Sequence, residues 1–470
     1  MDSRSEIAKY FPAEARVAAV GIDAGEACAI AGTDRVARFD TPTEFLSSPA
    51  GELHALILSA ESLTTEPLKA APARLEANSV VVVTCPVVPG IRFIDNPSVP
   101  PTVRALSEAG YSILTPPRWL DRADAPSLLV AARHDGYAIR SYRPGDETQI
   151  LDLFETSFLS RRPVEHWRWE YEANPHGRHA ISMAFDGDGQ LVAQYAGYPV
   201  PLWSTDPAID GLCAHQIGDT MTAVKVRNVG RGHTSLVART AKHFFATRCA
   251  KQVAFNYGFN TANIQKMSFA FIECLPVEPV PFRRAEIAAL TPISHALRLR
   301  MKLLRAYTVS RATQVDTDFD RFFLRSSPSY GLLVRRDAPY LKWRYLDSPA
   351  WKYEIVTLRS AGRLVGWSVF RRRDDVLLWG DALFSPGHAD AAGLVLQHAL
   401  DAPIGRGAKF LEGWFPARPA WWARELDALG FTATQEPNDL SMICTPFLVE
   451  DTAERLTRDL YYTACDSDLY

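Results

Sequence analysis

The amino-acid sequence predicts an α/β protein, and three observations carry that prediction. Short continuous apolar runs near the N-terminus, such as Val80–Val83, are typical of parallel strands covered on both faces. In the middle of the chain, residues 214–226 are rich in β-branched and apolar residues, as a strand through a sheet would be. A glycine-bearing turn at 227–234 then leads into an apolar stripe of helical period that starts at Leu236.

Length and composition set the outer limits of the prediction. A chain of 470 residues accommodates two or three domains, each with its own core. A formal net charge of -3 argues against a general nucleic-acid or anionic-membrane binder. Because no apolar run reaches membrane-spanning length and the N-terminus lacks a signal-peptide core, we expect a cytoplasmic protein. The cysteines, 7 in number, are scattered without C-x-x-C spacing, which predicts reduced thiols and no metal site.

Residues 1–135 alternate between strand-like and helix-like stretches. Their order resembles a class I methyltransferase of Rossmann type, with Leu128–Ala132 similar to one of its closing strands. Such enzymes carry Gly-x-Gly-x-Gly after the first strand, where this chain has Gly21-Ile22-Asp23-Ala24-Gly25. We therefore predict a shrunken Rossmann-like domain that has lost cofactor binding; the alternative is a working S-adenosylmethionine site around Gly21–Gly25. The predicted strands are Val17–Ile22, Leu56–Leu58, Val80–Val83, 109–114 and Leu128–Ala132.

The turn before the predicted central helix has the chemistry of a phosphate site. Backbone N–H groups at a helix N-terminus, reinforced by the helix dipole, bind phosphate, and glycines let the backbone approach the anion. A P-loop would end in Gly-Lys-Ser/Thr, and a dinucleotide fingerprint would place a third glycine at Ser235. Arg227-x-x-Gly230-x-Gly232 instead resembles the pyrophosphate loop of the GNAT family of CoA-dependent N-acyltransferases.

The flanking sequence extends this resemblance over residues 136–285. Tyr137–Glu147 is similar to the strand, Pro-Gly-Asp turn and first helix of a GNAT domain. Asp186–Ala193 is similar to its β-hairpin with a D-G turn, and Val253–Asn260 to its fifth strand and exit loop. The resemblance implies that the fourth and fifth strands splay apart and that an acyl-CoA thioester enters the gap.

The back of the chain repeats part of the same pattern. The segment Trp169–Pro175 aligns with Trp343–Pro349 as W-x-Y-x-x-x-P, and Gly218-Asp219 has its counterpart in Gly380-Asp381. The phosphate loop is missing from the second copy, where Pro386 and two acidic residues stand instead. We predict tandem GNAT domains, the first at 136–285 with the CoA loop and the second at 326–450 without it. A helical linker at 286–325, which contains a basic amphipathic helix at 296–305, joins them, and a tail follows at 451–470.

The resemblance implies a transferase that uses acetyl-CoA or another acyl-CoA as co-substrate. The acceptor is expected to be a primary amine of a small molecule, such as an amino sugar or a biosynthetic intermediate. Two alternatives stay open: a non-catalytic CoA-binding or scaffold protein, and a methyltransferase acting through the N-terminal domain. The residues expected to hold the CoA are Ala223, Val224, Lys225, Val226, Arg227, Asn228, Val229, Gly230, Arg231, Gly232, His233, Thr234, Asn260 and Asn263.

Three side chains are candidates for moving protons during acyl transfer to an amine. Asp219 is the best-placed carboxylate on the predicted fourth strand; its alternative is a strand carboxylate bonded to the neighbouring backbone. His215 lies four residues earlier on the same strand face and would act as a neutral imidazole, or as a partnered structural histidine. The family's usual acid is a tyrosine in the helix after the fifth strand, but residues 260–269 contain none. Tyr257 is therefore the candidate acid, with a core tyrosine as the alternative.

The aromatic residues of the W-x-Y-x-x-x-P segments have two interpretations. They have the chemistry to stack on a sugar or nucleoside acceptor, but their recurrence in both copies favours a shared role in core packing. A further group, Trp414, Trp421 and Trp422, is less easily explained by packing alone.

Overall fold

A computed structural model of the chain describes residues 15–33, 35–48, 53–63, 68, 75–85, 98–114, 128–133, 137–230, 235–249, 253–291, 303, 306–449 and 451–469. The strands within these ranges form two sheets of six strands and one of nine. No helix in the described part of the chain is long and apolar enough to cross a bilayer. Apart from Leu303, the predicted helix at 296–305 lies outside the described residues.

The N-terminal sheet has the strand order β2-β1-β3-β4-β6-β5. Strands β1 to β4 pair in parallel, whereas β6 runs antiparallel to both of its neighbours. Separate apolar clusters cover the two faces, which explains the continuous apolar runs. All five predicted strands are present, although the first ends before Ile22; the methyltransferase-like class stays a prediction. The elements are β1 Val17–Val20, α1 Ala24–Ala31, β2 Val36–Phe39, α2 Pro42–Ser47, β3 Leu53–Ser59, β4 Leu75–Thr84, α3 Val99–Glu108, β5 Tyr111–Ile113 and β6 Leu128–Arg133.

The turn after β1 is occupied by contacts within the chain. Gly21 has φ 67°, and a Cβ added there would lie 2.1 Å from the Ser62 Oγ. The Asp23 carboxylate caps α1 by accepting hydrogen bonds from the backbone N–H groups of Gly25 at 2.8 Å and Glu26 at 3.3 Å. A carboxylate of the protein therefore stands at the helix N-terminus where the sequence offered Gly21–Gly25 as a cofactor loop.

The central sheet follows the path β12-β20-β11-β10-β9-β15-β21, with β8 and then β7 added beside β9. Helices α4 and α5 contribute to the apolar cluster on one face of this sheet. Helix α6, together with residues that flank α7, contributes to the apolar cluster on the other face. These elements are β7 Ala138–Ser141, α4 Glu147–Phe158, α5 Val164–Tyr171, β8 Ala180–Phe185, β9 Leu191–Ser204, β10 Cys213–Thr222, α6 Leu236–Phe244, β11 Val253–Asn260, α7 Ala262–Phe271 and β12 Leu275–Pro279.

Strands β10 and β11 separate partway along their length. Their parallel pairing runs from Cys213 opposite Val253 to Gln216 opposite Tyr257 and then stops. A β-bulge between Gly218 and Met221 turns β10 at this point, and Asp219 adopts φ 50°. The strand ends at Thr222, so the prediction that it continues to Val226 is wrong. Val224–Val226 form a 3-10 turn instead.

The third sheet repeats the strand order of the central one as β14-β16-β17-β18-β19-β13. Strands β18 and β19 are again parallel, and their pairing covers only the three residues from Val376 to Leu378. A register shift again lies beside the Gly-Asp pair, between the partners of Trp379 and Asp381. This topology supports the predicted tandem arrangement, which stays a prediction. The elements are β13 Phe282–Glu286, β14 Tyr307–Ala312, α8 Thr317–Ser326, β15 Leu332–Val334, α9 Ala338–Leu341, β16 Tyr353–Ser360, β17 Arg363–Arg373, β18 Val376–Phe384, α10 Ala392–Asp401, β19 Phe410–Trp414, α11 Ala420–Ala428, β20 Ser441–Pro446, α12 Thr452–Asp459 and β21 Leu460–Tyr461.

The two sheets exchange their last strands. Strand β13 follows the central sheet in the chain but pairs with β19 of the third sheet. Strand β20 follows the third sheet in the chain but pairs with β11 and β12 of the central one. The predicted ranges 136–285 and 326–450 group β13 with the central sheet and β20 with the third, unlike the observed pairing, because pattern alone does not show which edge a strand joins. The domain division itself stays a prediction.

Trp169 and Trp343 hold the two repeated segments together. The indole N–H of Trp169 donates to the Trp343 carbonyl at 2.7 Å, and that of Trp343 donates to the Trp169 carbonyl at 2.8 Å. The two rings stack with centroids 5.4 Å apart. Because Trp167, Tyr171 and Tyr345 are also buried, packing between the copies accounts for the aromatic repeat better than an exposed acceptor platform does.

Candidate functional site

A cavity of about 670 Å³ lies where β10 and β11 separate. One wall is β10 from Ile217 to Thr222, and the other is β11 from Asn256 to Asn260. Strand β20 contributes Ile443 and Cys444 to the apolar lining. The polar side chains among the lining residues are Ser157, Tyr195, Asp219, Thr220, Thr222, Arg227, Asn256, Tyr257, Asn260, Thr261, Ser268, Thr445 and Asp468.

Asp219 lies on β10 as predicted and lines this cavity, but its carboxylate already accepts hydrogen bonds from other residues of the protein. The Arg162 guanidinium donates to both oxygens, to Oδ1 at 2.9 Å, and the Tyr171 hydroxyl donates to Oδ2 at 3.0 Å. The Asp219 charge in turn holds the pKa of Arg162 above its usual range despite burial of the guanidinium. Because three N–H and O–H groups already occupy its two oxygens, this geometry counts against Asp219 as the proton acceptor.

His215 is absent from the cavity lining, and it packs on the α6 side of the sheet. Its ring contacts Phe244 edge to face, and its Nδ1 lies 3.7 Å from the Cys249 Sγ. Burial lowers the pKa of His215 to about 4, with a smaller contribution from the Arg248 charge. The imidazole is therefore neutral, as predicted, but its contacts favour the structural alternative.

Tyr257 and Asn260 line the cavity from β11. The Tyr257 hydroxyl donates to the Asp466 carbonyl at 3.1 Å, and burial raises its pKa well above the usual value. The Asn260 side-chain amide donates to the Ser268 hydroxyl at 3.1 Å. These bonds tie both side chains to the protein, and their catalytic and CoA-binding roles stay predictions. Asn263 lies within α7, and its side chain is outside the described residues.

The predicted phosphate loop is described only as far as Gly230. Arg227 lines the cavity, and Gly230 has φ 71°, a conformation that a side chain would strain. Lys225 points away from it, since its ammonium donates to Asp186 at 2.7 Å. The helix predicted after the loop is present as α6 Leu236–Phe244. The predicted phosphate contacts at Arg231, Gly232, His233 and Thr234 fall outside the described residues.

Asp468 is the cavity residue that sequence reasoning missed. It is placed beside Gly218, where an added Cβ would lie 2.8 Å from its Oδ2. Gln216 donates to its Oδ1 at 3.1 Å across 252 residues of sequence. Burial, followed by the nearby Asp219 charge, raises the pKa of Asp468 to about 6. No local motif marks this residue, because only the fold brings it to β10.

Arg162 was missed as well, although the sequence carried a signal for it. Arg162 and Arg336 each stand seven residues before the first tryptophan of the repeated segment. In the third sheet, Arg336 donates to both oxygens of Asp381 at 3.0–3.1 Å, and the Tyr345 hydroxyl donates to Asp381 at 2.6 Å. The Arg–Asp–Tyr arrangement of the central sheet thus recurs in the third.

The space between β18 and β19 is filled by aromatic side chains. Trp422, the third residue of α11, is fully buried and packs on Trp379, Phe384 and Phe415. The third residue of α7 is Ile264, which lines the cavity of the central sheet and is 49% exposed. Packing therefore does account for Trp422, contrary to the expectation from sequence.

Metal ligation finds no support in the geometry of the described residues. Nowhere among them do three or more His, Cys, Asp or Glu side chains come together in a group that would hold a metal ion. Each cysteine is a free thiol, and five of the seven are buried.

Three solved structures are similar to this chain, each at low sequence identity and with a TM-score below 0.5. A probable N-acyltransferase from Enterococcus faecalis is 12% identical with a TM-score of 0.48, and the match covers 66% of this chain and 72% of that one. The N-myristoyltransferase of Saccharomyces cerevisiae with bound myristoyl-CoA is 11% identical with a TM-score of 0.44, covering 67% and 79%. A GCN5-related N-acetyltransferase from Anabaena variabilis is 10% identical with a TM-score of 0.48, covering 66% and 72%. Similarity this low says nothing about substrate.

The family comparison covers the part of the chain that forms the cavity. No curated protein sequence matches the chain. A family model for the acetyltransferase (GNAT) domain matches residues 138–272, the segment from β7 to the end of α7. This segment contains the separated strands and the start of the predicted phosphate loop. Residues 138–272 are therefore a GNAT acetyltransferase domain, and the protein is a transferase.

Proposed function

We propose that the protein transfers an acyl group from acetyl-CoA to a primary amine of a small molecule. The observation that carries this proposal is the cavity between β10 and β11, within the GNAT domain. Beyond Gln216, β10 has no paired residue on β11, so an extended chain such as the pantetheine arm fits between the strands. Backbone groups along the wall from Ile217 to Thr222 are placed to bond its amides.

The donor and the acceptor reach this cavity from opposite faces of the sheet. On the α6 and α7 face, Arg227, Val237 and Ile264 line it, which supports a CoA pyrophosphate site near the N-terminus of α6. On the other face, Phe158 and Leu469 line it, and these two apolar side chains are 48% and 51% exposed. An acceptor amine that also carries an apolar portion would cover them, so we favour that class over an unsubstituted amino sugar.

Replacing Ile264 with Trp tests the donor site. The larger ring would fill the cavity as Trp422 fills the third sheet, and acetyl-CoA affinity should fall roughly 10- to 100-fold. Because Ile264 is half-exposed, stability should change by less than about 0.5 kcal/mol. Isothermal calorimetry would measure the affinity, with one site per chain expected for the wild type. The matched control is Leu324→Trp, at an exposed position of α8, which should bind normally. Two equivalent sites, no wild-type binding, or normal binding by Ile264→Trp would overturn the proposal.

A non-catalytic CoA-binding protein is the second candidate. It is favoured by one observation, since Asp219 and Tyr257 are both hydrogen-bonded within the chain. Release of free thiol from acetyl-CoA in the presence of primary amines separates the two candidates. Binding without any amine-dependent release would favour the second. The methyltransferase alternative is tested by S-adenosylmethionine, which should leave the melting temperature unchanged because Asp23 occupies the helix N-terminus after β1.

A further inference from the structure

Asp468 reaches the cavity at the point where β10 and β11 part. If Gly218 were an alanine, its Cβ would lie 2.8 Å from the Oδ2 and 3.0 Å from the Cβ of Asp468. The absence of a side chain at 218 is thus what lets Asp468 approach the strand. Leu469, next in the chain, lines the same end of the cavity. A carboxylate and an apolar surface therefore lie together on the side of the sheet proposed for the acceptor.

The hydrogen bonds of Asp468 leave it able to accept a proton. Oδ1 accepts from Gln216, whose amide also donates to the Ile217 carbonyl and is thereby fixed in place. Oδ2 accepts no side-chain hydrogen bond from any residue in the described ranges. Asp219, by contrast, accepts from Arg162 and Tyr171. Of the two cavity carboxylates, only Asp468 has an oxygen without a side-chain donor.

The charges around Asp468 suit a group that exchanges a proton near neutral pH. After burial, the Asp219 charge contributes most to the raised pKa of Asp468, and the Arg162 guanidinium partly offsets it. Glu170 lies in the same cluster, 3.2 Å from the Arg162 guanidinium, and burial raises its pKa. With burial, these neighbours place the pKa of Asp468 at about 6, which is close to the value that favours a general base.

We propose that Asp468 is the catalytic base that deprotonates the acceptor ammonium. This rests on the proposed N-acyltransferase function. The ammonium gives one proton to Oδ2, and its lone pair attacks the thioester carbon to form the C–N bond. The C–S bond then breaks, the thiolate leaves, and the second proton of the attacking nitrogen protonates it. Asp468 returns its proton to solvent, so each turnover yields an amide, free CoA and one released proton.

The decisive variant is Asp468→Asn, assayed with acetyl-CoA and benzylamine as an amine with an apolar portion. The value of kcat/KM should fall by about 10²- to 10⁴-fold, the usual contribution of a general base. The wild-type rate should fall as pH drops through about 6, because the base becomes protonated, and the variant should lack this limb. Asp468→Glu should recover part of the rate. The control is Asp401→Asn, an exposed carboxylate at the end of α10, which should leave both profiles unchanged.

Two further measurements keep the outcomes distinct. Asp468→Asn should bind acetyl-CoA with wild-type affinity. If the wild-type protein itself does not bind acetyl-CoA, the proposed function is refuted, and this outcome is distinct from a failure of the role proposed for Asp468. A carboxyl whose pKa is raised on folding favours the folded state while protonated, and that contribution is lost as pH rises through about 6. Asp468→Asn should therefore have a higher melting temperature than the wild type at pH 8, with no difference below pH 4. A variant that is fully active, or less stable at pH 8, would overturn the proposal.

Discussion

The central and third sheets place the same three side chains around their separated strands and use them differently. In both sheets, an arginine that precedes the repeated segment and a tyrosine within that segment donate hydrogen bonds to the aspartate of a Gly-Asp pair. That aspartate is Asp219 in the central sheet and Asp381 in the third. In the third sheet, Thr463 also donates to Asp381, and Arg336 also donates to Asp466. Both oxygens of Asp381 are therefore satisfied inside the protein. In the central sheet the last residues of the described chain add Asp468, which lies beside a cavity.

This difference shows how one scaffold serves two purposes. Separating two parallel strands leaves a gap that must hold either a ligand or side chains of the protein. Trp422 fills the gap in the third sheet, while Ile264 leaves it open in the central one. Trp169 and Trp343 stack where the two repeated segments meet. These differences support our proposal that the first copy carries the chemistry and that the second has a structural role.

Arg336→Ala should give the largest effect. It leaves Asp381 and Asp466 without their guanidinium, and both are almost completely buried. The free energy of unfolding should fall by at least about 5 kcal/mol, the upper end of the cost of breaking one buried pair. Urea unfolding would measure it. Arg162→Ala is the matched control in the central sheet and should cost less, because the side chains of Arg162, Asp219 and Glu170 are 5–9% exposed, against 0–2% for Arg336, Asp381 and Asp466. Equal losses would contradict the view that only the third-sheet network is structural.

Trp422→Ala should have the next largest effect. Removing a fully buried tryptophan from the gap between β18 and β19 should destabilise the protein by about 3–5 kcal/mol. Acetyl-CoA affinity should stay at the wild-type value, since the central cavity keeps its lining. Thermal unfolding and calorimetry on the same sample would measure both. Trp421→Ala, at the partly buried neighbouring position, should cost clearly less. If Trp422→Ala instead abolished acetyl-CoA binding, the two gaps would not be independent.

Glu170→Gln should give the smallest effect, and one that depends on pH. Glu170 occupies the position of Arg344 in the other copy, whose guanidinium donates to the Cys465 and Ser467 carbonyls. Because burial raises the pKa of Glu170, its protonated form favours folding, and that contribution is lost as pH rises through about 8. The variant should gain about 1 kcal/mol above pH 8, or roughly 1 °C in melting temperature for a chain of 470 residues that unfolds in one step. Melting curves at pH 6 and pH 9 would show it. If Glu170→Gln raised the melting temperature at pH 6 and not at pH 9, the pH dependence would be opposite to the prediction, and the raised pKa of Glu170 would be refuted.

Local pattern predicted the elements that carry the site. Helix α6, strand β11 and the paired W-x-Y segments all follow from periodicity and repetition within short windows. The end of β10 was predicted too far along, because a bulge and a left-handed Asp219 turn the strand. Asp468 was not predictable, since its role depends on a contact with Gln216 made across 252 residues. Trp422 was not predictable either, because its partners come from β18 and from the segment after β19.

The strand exchange between the sheets has a consequence for biosynthesis. Strand β20 contributes to the apolar lining of the central cavity and Asp468 also lines it, and both leave the ribosome long after β10 and β11. A nascent chain that ends before β20 therefore has no complete cavity and leaves one edge of β11 unpaired. If the cavity holds acyl-CoA as proposed, we expect donor binding to begin only after β20 has been made.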